Sequence, residues 1–538
     1  MKNRLFSAAL LASFFVFDAH ADSVAVKMLD GENWWGGANF FGSKMPFTEK
    51  SSLDVDLRKR GFANQYASML ISDKGRVIWC NDQTVITITN GTIKMASDTA
   101  PVVSESGGRN LKEVFLHAAN KWFPSTGKTP DLLFFSAPQY NTWIELTYNQ
   151  NEKDILEYAQ SMLDNGLPPG VLMIDDTWQA GYGDWRFEPS RFKDPKGMVE
   201  KLHAKGFKVI LWMCPWVGMD LPAFRRIAWG INPNDVKGYP NKGGFLMDGN
   251  KPAAVRWWNG YSALLDFTHQ NARAWFKNQL DGLVKDFNVD GFKFDGGELE
   301  FYSLGYAACD KKASSGDQVM AYAKFCLEYS VCEYRNAWRF QGQPVVERLH
   351  DKGHAWSELQ KLVPDMIAGG LLGHSFMCPD MIGGGSWTAF LPGSPFDAEL
   401  FVRSAQVHAL CPMMQFSASP WRVLNKEHQQ IVRDAVATRQ KFADKFLELA
   451  RASGHTGEPM LRNLEYNYPG QGYAAISDQF MMGTDLLVVP VVIKGQTERT
   501  VVIPPGTWVG DDGETVVGPK TLTVKTPLSR LPYFILKK

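Results

Sequence analysis

The strongest constraint on this chain is an alternation. From about Leu132 onward, short apolar runs of strand length take turns with helix-length segments, a pattern that calls for parallel strands joined by crossover helices. Candidate strands are 132–135, 170–175, 207–212, 263–266, 291–295 and 344–347; candidate helices are 153–165, 195–205, 270–287 and 358–362. Several strands end on or beside Asp, Trp or Glu, so polar and aromatic groups gather on one rim. In a (β/α)8 barrel, the rim at the carboxyl ends of the strands is where chemistry is done.

The run 289–298 is the most informative of these. With period two, Lys293 and Asp295 share one face and Phe292 and Phe294 the other, as expected of a parallel strand whose aromatic side packs on helices. Asp295 stands at the carboxyl end and Gly296-Gly297 follow. Glycines let backbone approach a ligand closely, and a neighbouring lysine favours the ionised acid. Taken alone, the stretch also reads as a strand followed by an ordinary turn.

At 538 residues the chain exceeds one ordinary core. Residues 22–130 read as short strands broken by Gly, Asn and Asp, with Asn90-Gly91 as a hairpin signal, and predict an N-terminal β-sandwich. The barrel takes 131–452, ending in an amphipathic helix over 428–452 with Ile431, Val432, Ala435 and Val436 at helical spacing. A β pattern returns over 453–538 and predicts an all-β module. The expected class is therefore α/β, a catalytic barrel between two β domains.

Residues 1–21 read as a signal peptide: Lys2 and Arg4, an apolar run over 5–17, and Ala19-His20-Ala21 as the cleavage site. Export to the periplasm or beyond is the expectation. No cysteine follows to carry a lipid and no other apolar run reaches spanning length, so no membrane anchor is expected.

The 57 Lys and Arg balance the 57 Asp and Glu without a basic stripe, which argues against a nucleic-acid partner. The 34 Phe, 18 Trp and 16 Tyr suit stacking on sugar rings, although most must be core. Seven cysteines, an odd number, do not make a disulfide framework. Cys309, Cys326 and Cys332 leave room for one bridge, with free core thiols the simpler reading. No paired C-x-x-C, His-x-His or phosphate-binding glycine motif occurs, so neither metal nor cofactor is expected.

Four acidic sites carry the chemistry: Asp175 in 174–178, Asp295, Asp351 in 348–352, and Asp380 in 378–384. A glycosidase needs two carboxyls flanking an oxocarbenium-like transition state. Any barrel has spare aspartates, so the residues alone leave the pairing open, with Glu347 and Glu358 as rival acids.

The landmarks resemble glycoside hydrolase family 31 over nearly the whole mature chain. Asp175 with Trp178, the strand ending at Asp295, the Asp380-Met381-Ile382-Gly383-Gly384 run and the long segment 480–491 look like that family's motifs in order. The resemblance implies a retaining α-glycosidase with Asp295 as nucleophile. The family's usual acid/base context, Trp-x-Gly-Asp, is absent. The segment around Leu349-His350-Asp351-Lys352, followed by Trp356, is similar to a divergent branch of bacterial α-galactosidases and the myogenesis-regulating glycosidase, and implies Asp351 as acid/base.

A histidine that holds the sugar in the family's α-glucosidases has no counterpart in 411–417, which implies a sugar with an axial 4-hydroxyl, that is, an α-galactoside. By the same resemblance Asp175 and Asp380 bind sugar hydroxyls, Lys293 and Arg348 support the carboxylates, and Trp143, Trp178, Trp212 and Trp216 form an aromatic wall. Asp351 is expected to rest protonated, about 5–5.5 Å from Asp295. Asp176 reads as a turn cap and Glu298 as loop support. The expected partner is a glycoside or oligosaccharide; nothing in the sequence specifies an oligomeric state. An α-glucosidase, a metal-dependent hydrolase and a non-catalytic carbohydrate-binding barrel are the rival readings.

Overall fold

The computed structural model describes residues 22–59, 64–229 and 243–537; the expected signal peptide lies outside them. Eight short parallel strands make the central sheet: β1 (Gln139–Asn141), β2 (Val171–Ile174), β3 (Lys208–Met213), β4 (Gly291–Phe294), β5 (Val331–Tyr334), β6 (Val346–Arg348), β7 (Met377–Cys378) and β8 (Gln415–Phe416). From β1 to β7 each strand pairs with its neighbour in chain order, and β8 pairs with β1. A parallel bridge between Met381 and Gln415 links the β7 and β8 ends, so the sheet closes into a barrel.

The β4 register follows from its residues. Phe292 and Phe294 point outward onto aromatic rings, Phe292 against Tyr329 and Phe294 against Tyr322, while Lys293 points into the barrel. Gly291 is required by close approach, since a Cβ there would lie 1.8 Å from the Val331 carbonyl oxygen.

Two expected strands are not barrel strands. Residues 132–135 fall on a helical turn, Leu133–Ser136, with Leu132 at its uncapped N-terminus; the Asp131 side chain accepts from Leu133 N at 3.0 Å, a local hydrogen bond that competes with strand pairing. Of residues 263–266, the first two end the strand Gly260–Leu264, which pairs antiparallel with Ala254–Trp257 and Trp216–Val217 in a small separate sheet. Its two-residue turn holds Trp258-Asn259. Strands β1, β5, β7 and β8, only two to four residues long, carried too little pattern to be read.

The expected helix over 270–287 is present with those bounds, Gln270–Phe287. That over 358–362 extends to Trp356–Leu371, and that over 428–452 is two helices, Lys426–Lys441 and Ala443–Thr456, meeting at Phe442.

The N-terminal region has two antiparallel sheets. One runs in the order Asp22–Lys27, Thr92–Ser97, Val85–Thr89, Leu53–Asp56; the other in the order Trp34–Ala38, Gln65–Ser72, Arg76–Cys80, Val102–Ser106. A helix, Leu111–Trp122, follows within the stretch read as strands, its first turn capped by Asn110. A barrel segment, Ala337–Trp338, adds to the second sheet, parallel to Gln65 and Tyr66. The C-terminal module is one six-stranded antiparallel sheet. It docks through buried Arg403, which donates to the Thr526 and Arg530 carbonyls, and Gln406, which donates to that of Leu528.

Candidate active site

Asp295 follows β4 directly and is 8% exposed. Its Oδ2 accepts from Trp212 Nε1 at 2.9 Å, and its Oδ1 accepts from Arg335 at 3.0 Å, Arg348 at 3.3 Å and Gly296 N at 3.0 Å. Burial pushes this carboxyl up. Arg335, Arg348 and Lys293, with the Trp212 hydrogen bond, outweigh it and hold the group ionised, well below the usual carboxylate range.

The glycines after Asp295 make room for aromatic rings. At φ +69°, a Cβ on Gly296 would lie 2.1 Å from the Trp216 ring. The backbone turns there because the indole fills the space beside it.

Asp351 lies three residues beyond Arg348, the last residue of β6, and its side chain is 45% exposed. Arg348 donates to its Oδ1 at 2.7 Å, and an Arg335 terminal nitrogen is 3.5 Å from its Oδ2. Burial raises its pKa, but Arg348 and Arg335 outweigh this and hold it below the usual value. Two guanidiniums facing it thus favour Asp351 as carboxylate, contrary to the expected protonated state.

The two carboxylates share Arg335. One nitrogen lies 3.0 Å from Asp295 Oδ1 and 3.5 Å from Asp351 Oδ2, so those oxygens are no further apart than the sum of the two distances. That sum reaches only the lower edge of the roughly 6.5–9.5 Å spacing of an inverting pair.

A cavity of about 240 Å³ opens over this pair. Of the residues singled out in the sequence, Trp143, Asp175, Trp212 and Lys293 line it together with Asp295, Arg348 and Asp351. Lys293 pairs first with Asp175, Nζ to Oδ2 at 2.6 Å, and both side chains are largely buried in the cavity floor.

Three expected residues lie behind the wall. Trp178 is fully buried and donates to the Trp212 carbonyl at 2.8 Å, because its strand-end turn folds it under β3. Trp216 stacks on Trp257 at 4.4 Å. Asp380, at φ +72°, is buried with Oδ1 3.2 Å from Arg348; burial outweighs that arginine and pushes its carboxyl up to about 7.

Five further residues complete the lining: Tyr148, Asp176, Trp258, Arg335 and Met381. Asp176 does accept from Thr177 N as a turn residue would. It also accepts from Tyr182 Oη at 3.1 Å and Asn259 Nδ2 at 2.9 Å, and burial pushes it up to about 6. Trp258 is presented by the Trp258-Asn259 turn; Asn259-Gly260 was the readable signal for it. Arg335 follows the unread strand β5. Its Nε is 3.3 Å from Glu298 Oε1, and burial pushes Glu298 up to about 7.

All seven cysteines are free, six buried and Cys309 exposed. Among the described residues no cluster of three His, Cys, Asp or Glu could hold a metal ion, and no helix is long and apolar enough to cross a membrane.

Residues 135–341 match the glycosyl hydrolases family 31 TIM-barrel domain, and residues 457–537 match the family 31 C-terminal domain. The chain belongs to glycosyl hydrolase family 31. Among family 31 relatives, it is 31% identical to the myogenesis-regulating glycosidase of Mus musculus over 439 residues, 79% of this chain and 60% of that protein. It is 25% identical to the isomaltosyltransferase of Sporosarcina globispora, over 66% of this chain and 34% of that one, and 24% identical to the alpha-xylosidase XylQ of Lactiplantibacillus pentosus, over 71% and 50%. The chain thus spans a third to three fifths of the length of these curated relatives. The fold matches the family 31 dextranase of Flavobacterium johnsoniae with a TM-score of 0.76 at 19% identity, covering 96% of this chain and 66% of that one.

Proposed function

We propose that this family 31 chain is an exported, retaining, exo-acting α-glycosidase that hydrolyses terminal α-galactosides. The observation that carries the reading is the shared arginine. One Arg335 nitrogen reaches both the ionised Asp295 and the solvent-reaching Asp351, which keeps the pair no wider than the closest inverting pairs and supports attack by one and protonation by the other. The cavity of about 240 Å³ is smaller than the usual range for drug-sized ligands, which suits one terminal ring.

Asp295 attacks the anomeric carbon while Asp351 gives its proton to the leaving oxygen. Substrate must bring Asp351 into its protonated form. A sugar in the cavity displaces the water that stabilises its charge, and so raises its pKa. Once Asp295 is esterified its negative charge is gone. That charge had helped keep the Asp351 proton on. Having given its proton to the leaving oxygen, Asp351 then stays a carboxylate and takes the proton of the water that attacks the anomeric carbon, which breaks the ester and frees Asp295. Asp175, Asp176 and Lys293 offer two carboxylates and an ammonium to ring hydroxyls.

The galactoside preference rests on the segment 411–417, which lacks the histidine of the family's α-glucosidases. Gln415 from that segment is buried, donating to Gln139 at 2.8 Å and Glu333 at 2.9 Å. An α-glucosidase is the alternative, since relatives include "Alpha-glucosidase 2" of Bacillus thermoamyloliquefaciens.

Parallel assays with aryl α-galactoside, α-glucoside and α-xyloside test both levels. Preference for galactoside supports the specificity, and preference for another sugar overturns it. Binding without turnover of any glycoside would favour a non-catalytic barrel. Loss of activity in chelator would favour a metal-dependent hydrolase.

A further inference from the structure

The two arginines that bridge Asp295 and Asp351 are themselves held at their backbones by the N-terminal sandwich. Gln65, at the start of strand Gln65–Ser72, is fully buried. Its side-chain amide donates to the Arg335 carbonyl at 3.0 Å and to the Arg348 carbonyl at 3.0 Å. Its oxygen accepts from Asn39 Nδ2 at 2.7 Å. Both carbonyls can only accept, so the amide's orientation follows from its partners.

Two more contacts act on the same backbone. Asn64 Nδ2 donates to the Arg348 carbonyl at 2.9 Å, and Ala337 N donates to the Asn64 carbonyl at 2.9 Å. Just past Arg335, Ala337–Trp338 joins the sandwich sheet, and Trp338 stacks on Tyr66 with ring centres 5.1 Å apart. The chain thus leaves the barrel after β5 to pair with the sandwich, and the same amide ties it to the end of β6.

We propose that Gln65, set by Asn39, is a positioning residue for Arg335 and Arg348, making the N-terminal sandwich part of the catalytic apparatus. Arginine side chains have large rotamer freedom, so a guanidinium bridging two carboxylates is accurate only if its backbone origin is fixed. Gln65 fixes two origins with one group. The inference rests on the glycosidase reading for its kinetic test alone.

The test compares wild type with Gln65→Met, which keeps the side-chain length and removes both donors, and with Thr84→Val. Thr84 donates to Ser68 at 2.8 Å inside the same sandwich, so its variant reports destabilisation alone. Gln65→Met is expected to lower kcat about 10- to 100-fold, the scale of a misplacement near 1 Å. It is also expected to move the acid limb of kcat/KM to higher pH, because arginines drawn away from Asp295 no longer depress it. Thr84→Val should shift neither.

A crystal structure of Gln65→Met reads the claim without turnover, with the Arg335 and Arg348 guanidiniums displaced from Asp295. If Gln65→Met does not fold, Asn39→Ala should act in the same direction with a smaller shift. Wild-type kcat and pH profile in the variant, or unmoved arginines in its structure, would overturn the proposal. A wild type without glycosidase activity would sink the functional reading and leave the structural comparison to decide this one.

Discussion

Lys293 Nζ lies 2.6 Å from Asp175 Oδ2, with the two side chains 3% and 5% exposed. A lysine from the middle of β4 thus neutralises the carboxylate at the end of β2, across the barrel interior. Removing one partner of such a pair leaves a buried, unmatched charge at a cost of about 3–5 kcal/mol, whereas replacing both is far milder. Lys293→Met is predicted to lose stability on that scale in urea unfolding, with Lys293→Met/Asp175→Leu recovering much of it. Equal losses in single and double variants would contradict the pairing.

Asp295→Ala is expected to abolish turnover of every glycoside. Near-full activity in that variant would remove the main assignment. Asp351→Ala should lose little with activated aryl leaving groups and much with natural glycosides, since a good leaving group needs less protonation.

Because Arg348 and Arg335 depress Asp351, kcat/KM, which reports the free protein, should begin to fall at lower pH than kcat, which reports the substrate-bound one. Full pH profiles of both parameters check this. Coincident basic limbs would mean that substrate does not raise the Asp351 pKa.

Glu298 is raised by burial from 4.5 to about 7. For a carboxyl raised on folding, the contribution to stability is whole below the unfolded pKa and is lost as pH climbs through the folded one. Glu298→Gln has no proton to lose. Its stability relative to wild type should therefore rise between about pH 4.5 and 7 and level off above, in thermal unfolding at a series of pH values.

Arg403 is predicted to matter for docking rather than chemistry. Arg403→Met leaves the Thr526 and Arg530 carbonyls without this donor, at about 1–3 kcal/mol for each left unpaired. Lower unfolding stability with unchanged KM is the expected outcome.

Local pattern was enough for several parts of this protein. The period-two reading of β4 placed Lys293 inward and Asp295 at the rim, and helical periodicity gave Gln270–Phe287 its bounds. It failed where a short apolar run had two uses, as at Leu133–Ser136, a helical turn whose Leu133 N–H is taken by the Asp131 side chain. It failed also for Arg335, which follows a four-residue strand without a distinguishing pattern.

The chain's own succession of residues therefore determined the barrel's alternation, the rim acids and the family landmarks, because these are set by neighbours along the backbone. Which side chains share the cavity was decided only by tertiary structure. Trp178 and Trp258 are both strand-end tryptophans, yet one lies under β3 and the other lines the cavity. Likewise Gln65, far from any rim acid in sequence, reaches the backbones of Arg335 and Arg348 only once the sandwich packs on the barrel. A residue's type and spacing constrain its own element; its partners depend on which other element closes over it.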